Sequence, residues 1–271
     1  MPFVTSGTRR IHFEVHGDEK REPLLCMGGW GLLTGDYFTN LPAQWRDRYR
    51  FIVFDYRGLG DSDADGEGIS TGNLADDAVE VLAAAGVART HVIGQGGLGA
   101  GVAQFLAARH QEKVQSLVLT SGWAGPEPFH DAQLRALYRV RKEFGFDAFR
   151  ELCLTYTLPP HVLNSNPGFI PKSWAGPANI ESRDQVHLDL IDTNLRHDAR
   201  AELGDVTAPT LVVCGEDDTM GGPRLAEELA DLVPNATLSI LPRTPHIFAA
   251  VEGGIERYQS IVTDFLQSHS R

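Results

Sequence analysis

The sequence predicts an α/β fold, with a mostly parallel doubly wound sheet and an inserted helical cap. Short apolar runs alternate with longer amphipathic runs along most of the 271 residues, which is the pattern of repeated βα units. The later apolar runs are continuous, as expected for parallel strands that are buried on both faces. The alternation is interrupted once, over residues 125–192, by a stretch that is too long for an ordinary loop.

The elements of the core follow from this alternation. Strands are predicted at the apolar runs Ile11–Val15, Pro23–Met27, Phe51–Asp55, His91–Gly94, Val114–Ser121, Pro209–Gly215 and Thr237–Pro242. Helices are predicted at the amphipathic runs Leu74–Ala85, Val102–Arg109, Gly222–Leu232 and Ile255–His269. The polar segment Thr71-Gly-Asn predicts an N-cap for the first helix. Residues 1–124 and 193–271 are therefore assigned to the sheet core.

The interruption at residues 125–192 predicts the cap. It contains two helical patterns, Asp131–Phe144 and Phe146–Tyr156, followed by Pro, Gly and Asn punctuation from Pro159 to Ala178. Because the segment follows a strand, we expect it to lie over the C-terminal edge of the sheet. Open α/β sheets bind their ligands at that edge, so a small-molecule site is expected beneath the cap.

Composition restricts the partners of this chain. A formal net charge of −12 argues against nucleic acid or an anionic membrane, since both are bound by basic surfaces. No apolar run is long enough to span a membrane, and Met1–Glu22 does not resemble a secretory leader. Cys26 and Cys214 are expected to be buried thiols, and no Cys/His cluster predicts a metal. We expect a cytoplasmic protein without cofactor; a homodimer is compatible with the sequence.

A glycine-rich turn joins the fourth predicted strand to a helix. Residues His91–Ala100 read H-V-I-G-Q-G-G-L-G-A. Such a turn is where the pattern G-x-S-x-G presents a nucleophilic serine. Here Gly96 takes the position of the serine when it is counted from the strand, and Gly97 takes it when it is counted from the helix. Neither residue offers an attacking atom, so the sequence predicts no acyl-enzyme at this turn.

Two downstream segments add an acid and a histidine. Gly215-Glu-Asp-Asp218 follows one predicted strand, and Arg243-Thr-Pro-His246 follows the next. With the segments 23–31 and 55–62, this chain order resembles the α/β-hydrolase superfamily over essentially the whole chain. The resemblance implies that Asp218 fixes the tautomer of His246, whose other ring nitrogen acts as a general base. Asp217 is the alternative acid.

Within that superfamily, the turn is similar to that of the aminoacrylate hydrolases, which also lack the serine and carry G-H-A-L-G-A. The match here is Gly96-Gly-Leu-Gly-Ala100, and Gln95 and the additional glycine depart from it. The resemblance implies an oxyanion site formed by the backbone N–H groups of Leu98 and Trp30. Further likenesses are Gly29-Trp-Gly31 with Tyr37-Phe38, Ser121-Gly-Trp123 and Tyr138-Arg-Val-Arg141. The candidate pocket residues are Gly29, Gln95, Trp123 and Trp174.

Alternative interpretations apply to several of these residues. Gly94–Gly99 also matches the dinucleotide motif G-x-G-x-x-G, but it follows at least three strands and lacks an acidic residue at the required spacing. Trp123 and Trp174 either line the pocket or fill the core of the cap. Ser121 is an alternative, displaced nucleophile. Two other histidines are expected at the protein surface: His187 and His197.

Three functions remain open at this point. The first is an enzyme without a covalent intermediate, in which a His246–Asp218 dyad drives hydrolysis or a lyase-type step on a small carbonyl, imine or enamine compound. The second is cofactor-free oxygen chemistry, in which the same dyad deprotonates an electron-rich aromatic substrate. The third is a pseudoenzyme that only binds a ligand. The presence of both dyad residues favours the first.

Overall fold

A single sheet forms the centre of the computed structural model, which describes residues 2–30, 42–64, 69–168 and 184–270. Its eight strands are β1 (Phe3–Ser6), β2 (Arg9–His16), β3 (Glu22–Met27), β4 (Tyr49–Phe54), β5 (Thr90–Gln95), β6 (Val114–Thr120), β7 (Thr210–Gly215) and β8 (Ala236–Leu241). They are ordered β1-β2-β4-β3-β5-β6-β7-β8. β2 pairs antiparallel with both β1 and β4. The remaining neighbours, from β4 to β8 in this order, pair in parallel. The parallel strands therefore end at one common edge.

Helices cover both faces of this sheet. The core helices are α1 (Ala43–Arg48), α2 (Thr71–Ala84), α3 (Gly96–Arg109), α7 (Pro223–Leu232) and α8 (Gly254–Ser268). Side chains of α2, α3 and α7 pack into one hydrophobic cluster. Trp45 of α1 and Tyr258, Val262 and Leu266 of α8 belong to a second cluster with residues from the strands. Burial from both sides explains why the central strands are continuous apolar runs.

Between β6 and β7, the described residues form three helices in the stretch for which the sequence predicts a cap, and we refer to them as the cap helices. These are α4 (Pro128–Thr157), α5 (Pro160–Ser165) and α6 (Asp184–Arg196). The backbone leaves helical geometry at Gly145, which divides α4 into two arms. Leu134 and Leu137 of α4 and Ile191 of α6 share a third hydrophobic cluster with Trp123, which follows β6. This cluster joins the cap to the edge of the sheet.

The predicted fold class is confirmed, and the differences from it are local. The seven predicted strands are present, and β1 is an additional edge strand that the pattern did not predict. Helix α2 is capped by Ser70, whose side chain accepts a hydrogen bond from the backbone N–H of Asn73, and not by the predicted Thr71 segment. Helix α3 begins at Gly96, before the predicted Val102, because its glycine-rich start is already helical. Helix α6 ends at Arg196, beyond the predicted cap boundary at residue 192.

Two predictions from composition can be compared with the described part of the chain. Cys26 and Cys214 are buried free thiols, as predicted, and Cys153 is one as well. None of the helices in the described ranges has the length and apolar character needed to cross a membrane.

Candidate active site

The predicted site residues meet at the carboxyl edge of the sheet. Gln95, the last residue of β5, pairs with Thr120 of β6, and Thr120 pairs with Val213 of β7. Gly96 follows β5 directly, and the Asp218 and His246 loops follow β7 and β8. Parallel pairing therefore brings the glycine turn, the acid loop and the histidine loop to one side of the molecule.

Asp218 and His246 form a hydrogen-bonded pair. Nδ1 of His246 lies 2.9 Å from Oδ2 of Asp218. The other carboxylate oxygen, Oδ1, accepts hydrogen bonds from the backbone N–H groups of Met220 and Gly221, both at 2.9 Å. The side chain of Asp218 is fully buried, whereas that of His246 is 20% exposed. Asp217, the alternative acid, lies 3.8 Å from His161 instead.

Burial and pairing act in opposite directions on this dyad. Burial alone would raise the pKa of Asp218, but the charge of His246 and the hydrogen bonds to the carboxylate lower it below its usual value. Burial alone would lower the pKa of His246, but the charge and hydrogen bond of Asp218 raise it. Within the described residues, Nε2 of His246 makes no hydrogen bond. The arrangement therefore orients a basic ring nitrogen that is free to bind a proton.

Ser121 lies on the acid side of this pair. Its backbone has a positive φ of 50°, and its N–H donates to the carbonyl of Val213 at 2.8 Å. Its hydroxyl is buried and makes no hydrogen bond of standard geometry to the described residues. It is nevertheless close enough to Asp218 to help lower the pKa of that carboxyl group. This position suits a group that stabilises the Asp218 carboxylate, and it gives no support to a displaced nucleophile.

The two glycines of the turn differ in geometry. Gly96 has a φ of +63°, and a Cβ placed on it would meet only the Cα of Gly29, at 3.6 Å. A Cβ placed on Gly97 would lie 1.8 Å from the ring of Trp123. The backbone therefore turns at Gly96, next to open space, and the space at Gly97 is filled by an indole. The first N–H after the turn then belongs to Gly97 and not to Leu98, which had been predicted as the donor.

The other predicted pocket residues lie in different surroundings. Gln95 donates from its amide to the hydroxyl of Tyr258 on α8, at 3.2 Å, which ties its side chain to that helix. Trp123 is buried in the cluster beneath the cap, so it fills the core of the cap as well as covering Gly97. The Trp30 ring contacts Phe149 of α4, with ring centroids 6.2 Å apart. Trp174 lies outside the described residues.

His130, on the first turn of α4, was missed by the sequence analysis. Its ring is fully buried and lies 4.1 Å, centroid to centroid, from Trp123 at an interplanar angle of 70°. Neither ring nitrogen has a hydrogen-bond partner among the described residues. A sequence signal did exist, because His130, Leu134 and Leu137 repeat with the spacing of one helical face. A histidine on an apolar helix face was a candidate for burial.

Both histidines expected at the surface are buried, so that expectation was wrong. Nδ1 of His187 accepts a hydrogen bond from Nε of Arg141 at 2.9 Å, and burial lowers the pKa of His187 to about 3. His197 contacts Oγ1 of Thr71 at 3.0 Å and Oε1 of Gln104 at 3.2 Å. Burial lowers the pKa of His197 to about 4. Their partners lie on distant segments, which the local sequence pattern does not identify.

The described residues offer no group of three or more His, Cys, Asp or Glu side chains that could hold a metal ion. The chemistry available from them is that of a paired histidine, a buried carboxylate and the backbone N–H groups at the start of α3. The first N–H groups of a helix have no intrahelical partners and carry positive partial charge. This set of groups can move a proton and stabilise a developing oxyanion.

Comparisons with known sequences identify the family of this chain. Residues 22–252 match the α/β hydrolase fold family. The chain is 30% identical to a protein of Azorhizobium caulinodans named "Putative carbamate hydrolase RutD", over 93% of both chains. It is also 30% identical to a Variovorax paradoxus protein of the same name, over 94% of this chain and 96% of that protein.

Solved structures support the fold in the same way. The enol-lactonase from Burkholderia xenovorans LB400 superposes with a TM-score of 0.81 at 20% identity, over 98% of this chain and 100% of that one. The α/β hydrolase MGS-M2 from a Medee basin deep-sea metagenome library superposes with a TM-score of 0.87 at 18% identity, over 98% and 97% of the two chains. The sheet order, the site at its carboxyl edge and these comparisons lead to one conclusion: the chain belongs to the α/β-hydrolase family and is an enzyme of that family.

Proposed function

We propose that this enzyme hydrolyses a small carbonyl compound by direct attack of water, with His246 as the general base and without a covalent intermediate. The observation that carries the proposal is the combination of an intact His246–Asp218 pair with a turn whose residue of positive φ is Gly96. A base is therefore present where the fold normally activates a serine, and the serine itself is replaced by space.

The reaction follows from the free nitrogen of His246. Nε2 takes a proton from a water molecule as the water oxygen forms a bond to the carbonyl carbon of the substrate. The carbonyl oxygen becomes an oxyanion. When the bond from this carbon to its nitrogen or oxygen leaving group breaks, the imidazolium of His246 returns the proton to the leaving group. Asp218 holds the ring in the required tautomer and stabilises the imidazolium, and it keeps its own charge throughout.

The oxyanion is assigned to the start of α3. The N–H of Gly97 is the first after the turn, and the loop after β3 supplies the N–H of Trp30 as the second donor. This assignment replaces Leu98 by Gly97 because the positive φ falls on Gly96. The close approach of Gly29 to Gly96 brings the β3 loop to the turn, as a two-donor site requires.

The names of two relatives suggest which substrate class to test first. Two sequences at 30% identity are named as carbamate hydrolases, and a carbamate is a small carbonyl compound that a general base and two oxyanion donors can hydrolyse. We therefore propose carbamates as the first substrates to test, with imines and enamines as related candidates. Breaking a C–N bond of this kind needs a proton on the departing nitrogen, which the imidazolium provides.

The test is turnover of a panel of small carbamates, esters and enamines by the native enzyme, by His246→Ala and by His161→Ala. His161 is 62% exposed on α5, so His161→Ala is a control for the loss of a histidine outside the pair. We expect His246→Ala to lower kcat by about 10²-fold or more, and His161→Ala to have little effect. A folded His246→Ala protein with unchanged turnover of the best substrate would contradict the proposal.

A further inference from the structure

We infer that a groove at the amino edge of the sheet binds a small molecule that carries a chain of phosphate groups. The cavity has a volume of about 540 Å³, and four cationic side chains in its lining define what we call the basic groove: Arg21, Arg50, Arg89 and Lys113. Arg89 is exposed and the other three are partly buried, so a ligand can reach them. The site goes beyond the proposed function, because the proposed catalytic pair lies at the opposite, carboxyl edge of the sheet.

The four cations come from the amino ends of four neighbouring strands. Arg21 directly precedes β3, and Arg50 is the second residue of β4. Arg89 directly precedes β5, and Lys113 directly precedes β6. These strands are neighbours in the order β4-β3-β5-β6 and pair in parallel. Neighbouring strands are about 4.8 Å apart, so the backbone positions of the cations extend over about 14 Å. A linear ligand with several negative groups matches this row better than a single small anion.

The cations of the basic groove lack carboxylate partners. Ion pairs with Asp or Glu hold many of the other arginines that the structure describes: Arg10, Arg57, Arg109, Arg135, Arg141, Arg150, Arg196, Arg200 and Arg224. Arg109 lines an adjoining cavity together with Arg89, and it is bonded to both carboxylate oxygens of Glu202, at 2.6 and 2.8 Å. None of the four groove cations forms such a pair with a described residue. Their charge is therefore available to a ligand.

Backbone carbonyls orient the guanidinium groups of the groove. Nη1 of Arg21 donates to the carbonyl of Arg46 at 2.6 Å, and Nε of Arg89 donates to the carbonyl of Val114 at 3.3 Å. Nη2 of Arg50 donates to a carbonyl at the C-terminal end of α2, at 3.0 Å. A carbonyl accepts a hydrogen bond without neutralising the charge, and each bond uses one of three guanidinium nitrogens. The remaining N–H groups are therefore held in place for an anionic ligand.

The rest of the lining leaves the groove positively charged. Glu19 and Glu112 are the two carboxylates in the lining, and both are exposed residues. Four cations against two carboxylates leave an excess of positive charge, on a chain whose formal net charge is −12. A local field of this sign attracts anions to a surface that otherwise repels them. Pro23 and Ala88 also line the groove, so an organic group attached to the phosphates has apolar surface to contact.

A phosphate chain fits this groove better than a carboxylate or a nucleic acid duplex. Guanidinium groups bind phosphate oxygens through paired N–H···O bonds, and a di- or triphosphate presents several charged groups in a row. A single carboxylate would neutralise only one of the cations. The cavity volume lies within the range of about 300–1,000 Å³ that is usual for small-molecule sites. A long polyanion would also meet the acidic surface of the rest of the chain.

The test is titration of the full-length native protein with inorganic triphosphate, followed by calorimetry at low ionic strength. We expect saturable binding that is at least tenfold tighter than that of inorganic phosphate, because only the triphosphate reaches several cations of the row. ATP is the second arm. Tighter binding of ATP than of triphosphate would support the groove as a site for an organic phosphate, and weaker or equal binding would support inorganic phosphate chains. No saturable binding of either triphosphate would overturn the inference.

Variants locate the binding in the groove. The double variant Arg21→Gln/Arg89→Gln removes two charges from the row and should raise the Kd for triphosphate at least tenfold. Arg10→Gln/Arg135→Gln is the control with the same change in net charge, because those side chains are 62% and 60% exposed and lie outside the groove. It should change the Kd less than twofold. Arg89→Lys keeps the charge and should retain part of the affinity that Arg89→Gln loses. An unchanged Kd in the folded groove variant would overturn the inference.

Chemical footprinting of the native protein gives a readout that needs no variant. Phenylglyoxal modifies accessible arginines, and peptide mass spectrometry locates the modified residues. We expect saturating triphosphate to slow the modification of Arg89 at least threefold and to leave Arg10 and Arg135 unchanged. Equal rates at Arg89 with and without triphosphate, or equal protection of all three arginines, would overturn the inference. If the groove variant does not fold, this measurement decides.

Discussion

The sheet edge and the cap each contribute a buried histidine to the candidate site, and the two rings differ in their electrostatics. His246, from the loop after β8, is paired with the buried carboxylate of Asp218, and its pKa is raised. His130, from cap helix α4, has no hydrogen-bond partner in the described part of the chain, and burial lowers its pKa to about 4. The partner therefore decides the chemistry: a ring paired with a carboxylate is more basic and can take up a proton, whereas an unpaired buried ring stays neutral at pH 7 and can only form hydrogen bonds.

The largest expected effect comes from breaking the pair at the sheet edge. Asp218→Asn removes the charge that raises the pKa of His246 and favours the wrong tautomer, so kcat should fall by about 10²- to 10⁴-fold. The acid limb of the kcat/KM profile should move to lower pH. Steady-state kinetics between pH 5 and 9 measure both. Asp217→Asn is the matched control, since that side chain is not bonded to His246. Equal losses of kcat in Asp218→Asn and Asp217→Asn would contradict the role of Asp218 as the partner of His246.

The next effect is on the free energy of unfolding at acid pH, and it concerns His130 of the cap. Because the folded-state pKa of His130 is lowered to about 4, protonation is disfavoured in the folded protein. The preference of the folded protein for neutral His130 therefore adds fully to the free energy of unfolding above the unfolded-state pKa of about 6.5. This contribution is lost as the pH falls towards 4. Between pH 7 and 4.5 this loss amounts to about 2–3 kcal/mol.

His130→Phe should remove this part of the acid destabilisation, which urea unfolding at the two pH values can measure. His246→Ala should act in the opposite sense. The raised pKa of His246 stabilises the fold below about pH 6.5, and that stabilisation is lost as pH rises through the folded value. An acid limb of the same steepness in His130→Phe and in the native protein would show that His130 is not buried in the neutral form.

The smallest expected effect is the difference in stability between serine variants at the two glycines of the turn. Gly97→Ser would bring Cβ within 1.8 Å of the Trp123 ring, so overpacking should lower the free energy of unfolding by about 3 kcal/mol. Gly96→Ser faces open space and adds only the strain of a positive φ, about 1–2 kcal/mol. Thermal unfolding of both variants measures the difference. Equal destabilisation would contradict the assignment of the turn to Gly96.

Much of the core could be predicted from the sequence, because the burial of a strand determines the residue types within that strand itself. Strands that are buried on both faces appear as continuous apolar runs. The chain order and its resemblance to the α/β-hydrolases predicted His246 and Asp218 as partners, with Asp217 as the alternative acid. The turn could not be resolved in this way because both of its central residues are glycine. Choosing between them requires the φ of Gly96 and the position of Trp123, which follows a different strand.

The cap was less predictable because its burial is set by distant partners. His187 is buried against Phe149 and Arg141, both from another cap helix. His197 contacts Thr71, which lies 126 residues away in the chain. Polar residue types suggested exposure at both positions, and tertiary packing overrode this preference. The periodic face of α4 carried the signal for His130, but periodicity alone gives neither the neighbour nor the missing hydrogen bonds.

The most direct test of the central claim is pre-steady-state hydrolysis of 4-nitrophenyl carbamate, with intact-protein mass spectrometry of samples quenched during turnover. The account predicts linear release of nitrophenolate from the first turnover and no carbamoyl adduct on the native chain. Gly96→Ser provides the positive control, because a serine at the turn can form such an adduct beside His246. A burst equal to the enzyme concentration in the native protein, with an adduct on residues 92–104 or on Ser121, would contradict direct attack by water.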